Sequence, residues 1–434
     1  MDIAIISEHA SPIGALGGKD AGGQNVYVAQ LATHLTRMGH KVEVFTRRES
    51  SVLPIVQDLK EGFRLVNVPA GPARTIAKEK LLPYMSSFTD FVLSYIGKRN
   101  KKFDIIHSNF WMSGLVAADI KKVLNIPFVI TFHALGRVRR MHQGSLDGFP
   151  DIRFEVEDRV VAEADGIVAE CPQDLEDLQN LYKAAKTSMT VIPCGFDPME
   201  MHPLDKMEAR RILGLDPNEE IVLHLGRMVP RKGADNIIRG FAHYLKTTGK
   251  KSNLIIVGGE SDRPDSRKTP EIGRLMLIAQ EEGVTDSVLF AGRCSRKNLK
   301  FYYSAADVFV TTPWYEPFGI TPVEAMACGT PVIGSAVGGI KFTVKHGETG
   351  LLVPPNEPRI LGEALFTLLT NEELKRSFQR KSLARAHSSF KWETMVEQVE
   401  KFLLSRMNRS QLKTEVTQTL IYPATQTFNN NVYL

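Results

Sequence analysis

Residues 221–245 read IVLHLGRMVPRKGADNIIRGFAHYL, and this stretch decides the fold. A short apolar run leads through a loop bounded by two glycines into apolar residues at helical spacing. A fully buried strand followed by a helix is the repeating unit of a parallel α/β sheet, so the stretch predicts a strand at 221–225 and a helix at 233–245. Its position halfway along a chain of 434 residues indicates that a second series of such units begins here.

Short runs rich in β-branched residues alternate with helical patterns on both sides of this unit. Upstream strands are predicted at residues 3–7, 42–46, 64–68, 105–107, 128–131, 166–169 and 190–192, with a helix at 25–38. Downstream strands are predicted at residues 254–257, 288–290, 308–311, 331–334 and 350–353. Two such series predict an α/β protein of two Rossmann-like, doubly wound domains, each with its binding edge at the carboxyl ends of its strands.

The domain boundaries follow from residues that interrupt regular structure. Gly195 and Pro198 mark residues 193–205 as a linker between a first domain at 1–192 and a second at 206–389. Residues 390–407 have a helical pattern. From Asn408 the sequence is polar and aperiodic, which predicts a weakly ordered tail at 408–434.

Composition narrows the class of protein. Hydrophobic residues make up 43% of the chain and charged residues 24%, and the net charge of +5 is too small to indicate nucleic-acid binding. The four cysteines are far apart without a CxxC pair, which favours buried thiols in a reducing, cytoplasmic setting. The apolar N-terminus predicts a first strand rather than a signal peptide, and no apolar run approaches the length of a membrane span. The oligomeric state stays open, a dimer being possible.

Two glycine-containing loops have the features of an anion site. Residues 17–25, GGKDAGGQN, follow the first strand and open a helix, whose first N–H groups suit an anion. The alternative is a flexible turn, and the absence of a GxGxxG pattern does not support dinucleotide binding. Residues 226–233, GRMVPRKG, place Arg227 and Lys232 beside a helix start, where they could clamp a diphosphate. The alternative is a surface basic loop, and Arg231 is expected in solvent.

Residues 316–329, EPFGITPVEAMACG, carry two carboxylates eight residues apart. A carboxylate suits bidentate acceptance from the vicinal hydroxyls of a sugar, and the backbone near Gly319 can offer N–H groups to phosphate or sugar oxygens. The alternative is that Glu324 merely complements the helix dipole. Residues 131–140, TFHALGRVRR, place His133 at the end of a predicted strand, on the binding edge, although a lone histidine is often structural.

Taken in order, GGQN, TFHALG, GRMVPRKG and EPFGITPVEAMACG resemble the family-4 glycosyltransferases of GT-B fold over nearly the whole chain. Within that family the chain is most similar to inositol-phosphate N-acetylglucosaminyltransferases and sucrose-phosphate synthases. Similarity to the first group extends over residues 7–48, 68–72, 78–79 and 107–114. The resemblance implies two domains facing a central cleft, with residues 390–407 crossing back to the first domain.

The resemblance also implies roles for individual residues. His133 would contact a hydroxyl of the donor sugar, Arg227 and Lys232 the leaving diphosphate, and Glu316 the donor-sugar hydroxyls. The further donor contacts implied are Gly23 at the diphosphate, Glu324 at the ribose, Arg293 and Cys294 at the base, and Phe318, Gly319, Ile320 and Thr321 along the helix start. The acceptor contacts implied are Asn25, Lys78, Phe110, Arg139 and Arg153.

The acceptor positions leave its identity open. Lys78 and Arg153 match residues that hold the acceptor phosphate in the inositol-phosphate enzymes, and Arg139 falls near a basic position used for fructose 6-phosphate. Phe110 and Ala134 replace hydroxyl-bearing residues, so inositol phosphate, another anionic sugar and a neutral sugar all remain candidates.

The implied reaction is a metal-independent, retaining transfer of a hexose from a nucleotide-sugar, with UDP-glucose or UDP-GlcNAc favoured. The acceptor is a hydroxyl of a sugar, sugar phosphate or cyclitol phosphate, and no cofactor is expected. The alternatives are transfer from UDP- or ADP-glucose to fructose or fructose 6-phosphate, and a non-catalytic nucleotide-sugar-binding protein. A sugar-nucleotide epimerase would need acid/base pairs that the motifs do not supply.

Overall fold

Two sheets, parallel except for one edge strand, organise the computed structural model, which describes residues 1–14, 22–99 and 102–421, with side chains to residue 408. Within these residues the first sheet has eight strands and the second has six. The predicted α/β fold of two doubly wound domains is confirmed.

The first domain contains strands β1 to β8 and helices α1 to α6. The strands are β1 (Asp2–Ile6), β2 (Lys41–Arg47), β3 (Val56–Asp58), β4 (Arg64–Val68), β5 (Ile105–Asn109), β6 (Phe128–Thr131), β7 (Gly166–Ala169) and β8 (Met189–Val191). The helices are α1 (Gly23–Arg37), α2 (Met85–Gly97), α3 (Trp111–Leu124), α4 (Gly136–Gln143), α5 (Ile152–Glu163) and α6 (Pro172–Tyr182). The strand order is β3-β4-β2-β1-β5-β6-β7-β8.

The second domain contains strands β9 to β14 and most of the remaining helices. The strands are β9 (Glu220–Leu225), β10 (Ser252–Val257), β11 (Val288–Gly292), β12 (Val308–Thr311), β13 (Val332–Ser335) and β14 (Gly350–Val353), in the order β11-β10-β9-β12-β13-β14. The helices are α7 (Lys206–Leu213), α8 (Ala234–Thr248), α9 (Pro270–Glu281), α10 (Arg296–Ala305), α11 (Ile320–Ala327), α12 (Ile340–Thr343), α13 (Pro358–Leu369) and α14 (Glu372–Ser389). The last helix, α15 (Trp392–Ile421), follows.

Central strands are buried on both faces, which explains why they appear in the sequence as continuous apolar runs. All five residues of β1 are buried, and β1 pairs in parallel with β2 and β5. The strand β3 was not predicted, because it has three residues and lies at the sheet edge, antiparallel to β4.

The chain crosses between the domains twice, and the two crossings run side by side. Phe196 donates a backbone hydrogen bond to Phe390 O at 2.8 Å, and Trp392 donates one back to Phe196 O at 3.2 Å. A Cβ on Gly195 would lie 2.7 Å from the backbone nitrogen of Trp392, so this close approach requires glycine.

Helix α15 packs against α1, β6 and β7 of the first domain. Trp392 makes an edge contact with Tyr27 at a ring separation of 5.9 Å, and His40 Nε2 lies 2.7 Å from a carboxylate oxygen of Glu400. The helix runs to Ile421, so it continues beyond residue 407, where the predicted terminal helix ends, into the segment predicted to be weakly ordered. No glycine or proline precedes Pro423 in this stretch, and nothing local stops the helix. Residues 422–434 lie outside the described residues.

Candidate active site in the interdomain cleft

A cavity of about 560 Å³ lies between the two sheets, at the carboxyl ends of their strands. It brings together sixteen of the seventeen residues predicted above as site residues. They are Gly23, Asn25, Lys78, Phe110, His133, Arg139, Arg227, Lys232, Arg293, Cys294, Glu316, Phe318, Gly319, Ile320, Thr321 and Glu324. Arg153 does not line the cavity. Of the predicted glycine loop, residues 17–21 lie outside the described part of the chain.

Lys232 and Glu316 form an ion pair that joins two of the predicted motifs. Lys232 ends a short 3-10 turn at Pro230–Lys232, and the next residue, Gly233, has a φ of 69°. A Cβ on Gly233 would lie 2.0 Å from the carbonyl oxygen of Thr312, so only glycine lets this turn pack against the segment after β12. The turn thereby carries the ammonium group of Lys232 into the cleft wall.

The charges of this pair depend on the cations around it. Burial, together with the neighbouring Arg231 and Arg227, lowers the pKa of Lys232 to about 8, although Glu316 opposes the shift. Burial alone would raise the pKa of Glu316, but Lys232, Arg231 and Arg227 outweigh it and hold the pKa below its ordinary value. Glu316 is therefore ionised at neutral pH. The ammonium group of Lys232 loses its proton at a slightly higher pH, near its pKa of about 8.

Two helix N-termini face each other across the cleft beside these charges. Helix α1 begins at Gly23, and α11 begins after Gly319, which has a φ of 94°. A Cβ on Gly23 would lie 3.2 Å from Cδ1 of Ile320, and a Cβ on Gly22 would lie 3.5 Å from the side chain of Arg227. The first N–H groups of each helix have no partner within the helix, and the guanidinium of Arg227 lies beside them. Together these groups form a site suited to a diphosphate.

Glu324 lines the cavity from α11, where it contacts two side chains. Its carboxylate accepts hydrogen bonds from Arg296 Nη1 at 2.7 Å and from the hydroxyl of Tyr303 at 3.1 Å. Arg296 also donates to Glu200 at 2.6 Å, and these carboxylates raise its pKa against the effect of burial. Arg296 was not predicted as a site residue, although it lies just beyond the carboxyl end of β11.

His133 is held rigidly where β6 ends. It has a φ of 57°, unusual for a residue with a side chain, and its ring makes an edge contact with Tyr27 at 4.8 Å. Its Nδ1 lies 3.0 Å from Glu170 Oε1, and its Nε2 lies 3.0 Å from Asn109 Oδ1. Neither partner was predicted, because Asn109 ends β5 and Glu170 follows β7, both distant from His133 in sequence. The two contacts fix the ring in the cleft.

Each predicted acceptor cation has a carboxylate partner. Lys78 pairs with Glu79 at 3.3 Å, Arg139 pairs with Asp147 at 2.5 Å, and Arg153 pairs with Glu157 at 2.7 Å. These partners reduce the excess positive charge that the sequence alone indicated.

Arg153 is the exception among the predicted residues, because it lies behind the cleft wall. Its guanidinium is 5.1 Å from the ring centre of Phe110 and donates to Ala134 O at 2.5 Å. Its α5 neighbour Glu157, one turn away, draws it inward, and both side chains are buried. Arg153 is therefore buried behind the wall and has no surface on the cavity. The side chain of Asn25 is engaged likewise, by Gly22 N at 2.9 Å and Ser11 O at 3.0 Å.

A buried carboxylate next to β1 was also missed. Glu8 is fully buried and accepts hydrogen bonds from Ser113 Oγ and, at 2.7 Å, from His9 Nδ1. His9 lines the cavity beside Phe110, with a ring separation of 4.8 Å. Its adjacency to Glu8 was visible in the sequence, but the contact with Ser113 on α3 was not.

None of the helices within the described residues is long and apolar enough to cross a membrane. Among the same residues, histidine, cysteine, aspartate and glutamate form no group that could hold a metal ion.

Comparisons with known proteins agree with this architecture. Residues 205–385 match the family described as glycosyl transferases group 1, and residues 21–200 match glycosyltransferase family 4. The D-inositol 3-phosphate glycosyltransferase of Actinosynnema mirum is 36% identical over 91% of this chain and 95% of its own. That of Acidothermus cellulolyticus is 37% identical over 91% of this chain and 88% of its own.

Solved structures resemble both domains together. A sucrose-phosphate synthase from Thermosynechococcus elongatus superposes with a TM-score of 0.86 and 34% identity, over 94% of this chain and 99% of that one. HepE of Anabaena in complex with UDP-glucose superposes with a TM-score of 0.72 and 20% identity, over 93% of this chain and 100% of that one. At that identity the similarity is one of fold. These similarities extend across the cleft and both sheets.

Proposed function

Because the chain belongs to glycosyltransferase family 4 and is an enzyme that transfers a sugar, we propose that it moves a hexose from a UDP-sugar to a small sugar acceptor, with retention of configuration and without a metal ion. The observation that carries the proposal is the ion pair of Lys232 and Glu316, beside Arg227 and two facing helix N-termini. UDP-glucose and UDP-GlcNAc are the favoured donors, by relationship to the two enzyme groups that the sequence resembles.

Side chains and backbone N–H groups of the protein stabilise the leaving group in this transfer. Arg227, Lys232 and the first N–H groups of α11 neutralise the charge that develops on the departing diphosphate. The acceptor hydroxyl attacks the anomeric carbon on the face from which the nucleotide leaves, and an oxygen of the departing β-phosphate takes the hydroxyl proton. The protein therefore positions the reactants and needs no covalent nucleophile.

The names of the related proteins support an acceptor that is a sugar phosphate or a similar phosphate ester. The relatives that are 36% and 37% identical act on D-inositol 3-phosphate, and the solved structure at 34% identity is a sucrose-phosphate synthase. Transfer to fructose 6-phosphate is the second candidate, because the similarity to that synthase covers 94% of the chain. The non-catalytic interpretation is set aside, since relatives over nine-tenths of the chain are glycosyltransferases.

Excess EDTA should leave the rate of transfer within about twofold of the untreated enzyme. The reason is that Arg227 and Lys232 occupy the place at which a divalent ion would neutralise a diphosphate. The measurement is release of UDP from UDP-glucose and from UDP-GlcNAc, each with inositol phosphate, fructose 6-phosphate and the corresponding neutral compounds. Loss of activity in EDTA that magnesium or manganese restores would contradict metal independence, whereas no transfer from either donor would contradict the proposed function.

Lys78→Ala should raise the KM of a phosphorylated acceptor by about 10–100-fold, the range expected for losing a hydrogen bond to a charged group. Affinity for UDP should not change, since Lys78 lies in the first domain. Lys80→Ala is the matched control, because Lys80 is exposed in the same short helical turn. Equal use of a sugar and its phosphate ester by the wild type would argue for a neutral acceptor instead.

A further inference from the structure

Tyr315 makes a contact across the cleft that the site described above does not use. It lies between β12 and α11, immediately before Glu316, and is 6% exposed. Its hydroxyl accepts a hydrogen bond from Gln143 Nε2 at 2.5 Å. Its ring stacks on His142, with 5.2 Å between ring centres and an angle of 17° between planes. Both partners lie at the end of α4, so a residue of the donor domain holds a helix of the other domain.

Helix α4 belongs to the acceptor side of the cleft. It carries Arg139 and begins three residues after His133, and Arg139 and Gln143 both line the cavity. Leu146, just beyond the helix, also lines the cavity. The position of this helix therefore determines the shape of the space in which an acceptor binds.

Tyr315 also contacts the cation-bearing loop of the donor domain. The guanidinium of Arg231 lies 5.2 Å from the centre of its ring, and the backbone of Trp314 donates to Arg231 O at 2.9 Å. Arg231, which was expected in solvent, is half-buried, and this contact holds it in the cleft wall. Arg231 adjoins Lys232 in sequence, and the latter pairs with Glu316.

Two other contacts cross the cleft but involve a different helix. Cys171 Sγ donates to Pro317 O at 3.2 Å, and Lys341 Nζ donates to Gln173 Oε1 at 3.1 Å. Both hold the start of α6. Of the cross-cleft contacts described here, those of Tyr315 therefore connect the donor loop to helix α4.

We propose that Tyr315 is a positioning residue that couples the two substrates, by holding the end of α4 against the donor loop and closing the acceptor side of the cleft to water. The inference rests on the proposed transferase function. Tyr315 acts through α4 and Arg231 rather than on the reacting atoms. Closure of this kind favours transfer to an acceptor hydroxyl over hydrolysis of the donor by water.

The test compares variants that remove the hydroxyl with one that removes the ring. Tyr315→Phe and Gln143→Ala should each raise acceptor KM by about fivefold, as for loss of one hydrogen bond, and the double variant should be no worse than either alone. Tyr315→Leu should raise the ratio of donor hydrolysis to transfer by about tenfold or more. The Kd for UDP should stay unchanged in every variant, which separates positioning from loss of the donor site.

Tyr244→Phe is the matched control, because the hydroxyl of Tyr244 makes a hydrogen bond of 2.5 Å to Glu220 on the far side of the same domain. That variant should retain the wild-type KM and hydrolysis ratio. Wild-type values of both in Tyr315→Leu would overturn the proposal, as would additive effects of Tyr315→Phe and Gln143→Ala in the double variant.

Small-angle scattering tests the role of Tyr315 without measuring catalysis, and so it is independent of the test of the proposed function. Tyr315→Leu should increase the radius of gyration of the protein without substrate, whereas Tyr244→Phe should not. If the wild type transfers no hexose, the proposed function fails, and an unchanged radius in Tyr315→Leu would then overturn the cross-cleft role as well.

Discussion

Replacing Arg227 or Lys232 with alanine should lower kcat by about 10²–10³-fold, the usual loss when one preorganised charge-stabilising group is removed. The two side chains meet the cleft where α1 and α11 begin, so their charge acts on the diphosphate as it leaves. Because the charge on that group grows in the transition state, the loss should appear in kcat as well as in kcat/KM. The measurement is steady-state transfer at saturating acceptor.

The two variants should differ in stability. Lys232→Ala leaves the partly buried carboxylate of Glu316 without its ion-pair partner and should lower the midpoint of thermal unfolding. Arg267→Ala is the control for a simple change of net charge, because the Arg267 side chain is 93% exposed and does not line the cavity. Near-wild-type kcat in a folded Arg227→Ala protein would refute the assignment of the leaving-group site.

Glu316→Gln should lower kcat/KM by a comparable 10²-fold or more, as for the loss of one preorganised polar group, and should also move the pH dependence of the reaction. The pKa of Lys232 is about 8, below its ordinary value, so its charged form is lost as the pH rises through 8. In the wild type kcat/KM should therefore fall above that pH, approaching tenfold per pH unit. Glu316 favours the charged form of Lys232, and glutamine at this position should shift the fall to lower pH.

Glu324→Gln separates this effect from a general loss of activity. The carboxylate of Glu324 contacts Arg296 and Tyr303 and not Lys232, so its removal should reduce activity without moving the alkaline limb. An alkaline limb at the same pH in Glu316→Gln and in the wild type would show that Lys232 is not the titrating group.

The fold was predictable because its central strands are continuous apolar runs. The stretch at 221–245 contains a strand, a tight turn and a helix in local order, and β9 and α8 appear there within three residues of the predicted bounds. The local sequence pattern could not indicate β3, because its three residues are held in place by pairing with β4.

Some residues of the candidate site could likewise be predicted from the sequence, and others could not. Arg227, Lys232 and Glu316 were predictable, since each follows a strand at the binding edge and lies in a glycine-bounded segment. Their partners were not, because such contacts join residues distant in sequence, as with Glu170 and His133. Arg153 illustrates a further limit. Its spacing from Glu157 was visible, but whether the pair faces the cleft or the core depends on how α5 packs.

The return of α15 to the first domain imposes an order on biosynthesis. Residues 1–192 leave the ribosome first, yet the faces of α1, β6 and β7 that α15 covers stay exposed until the far end of the chain has been made. At ordinary translation speeds of about 5–20 residues per second, that wait of about 200 residues lasts roughly 10–40 seconds. A chain that stops immediately before Trp392 would therefore contain both sheets but leave the faces of α1, β6 and β7 that α15 covers exposed to chaperones and proteases.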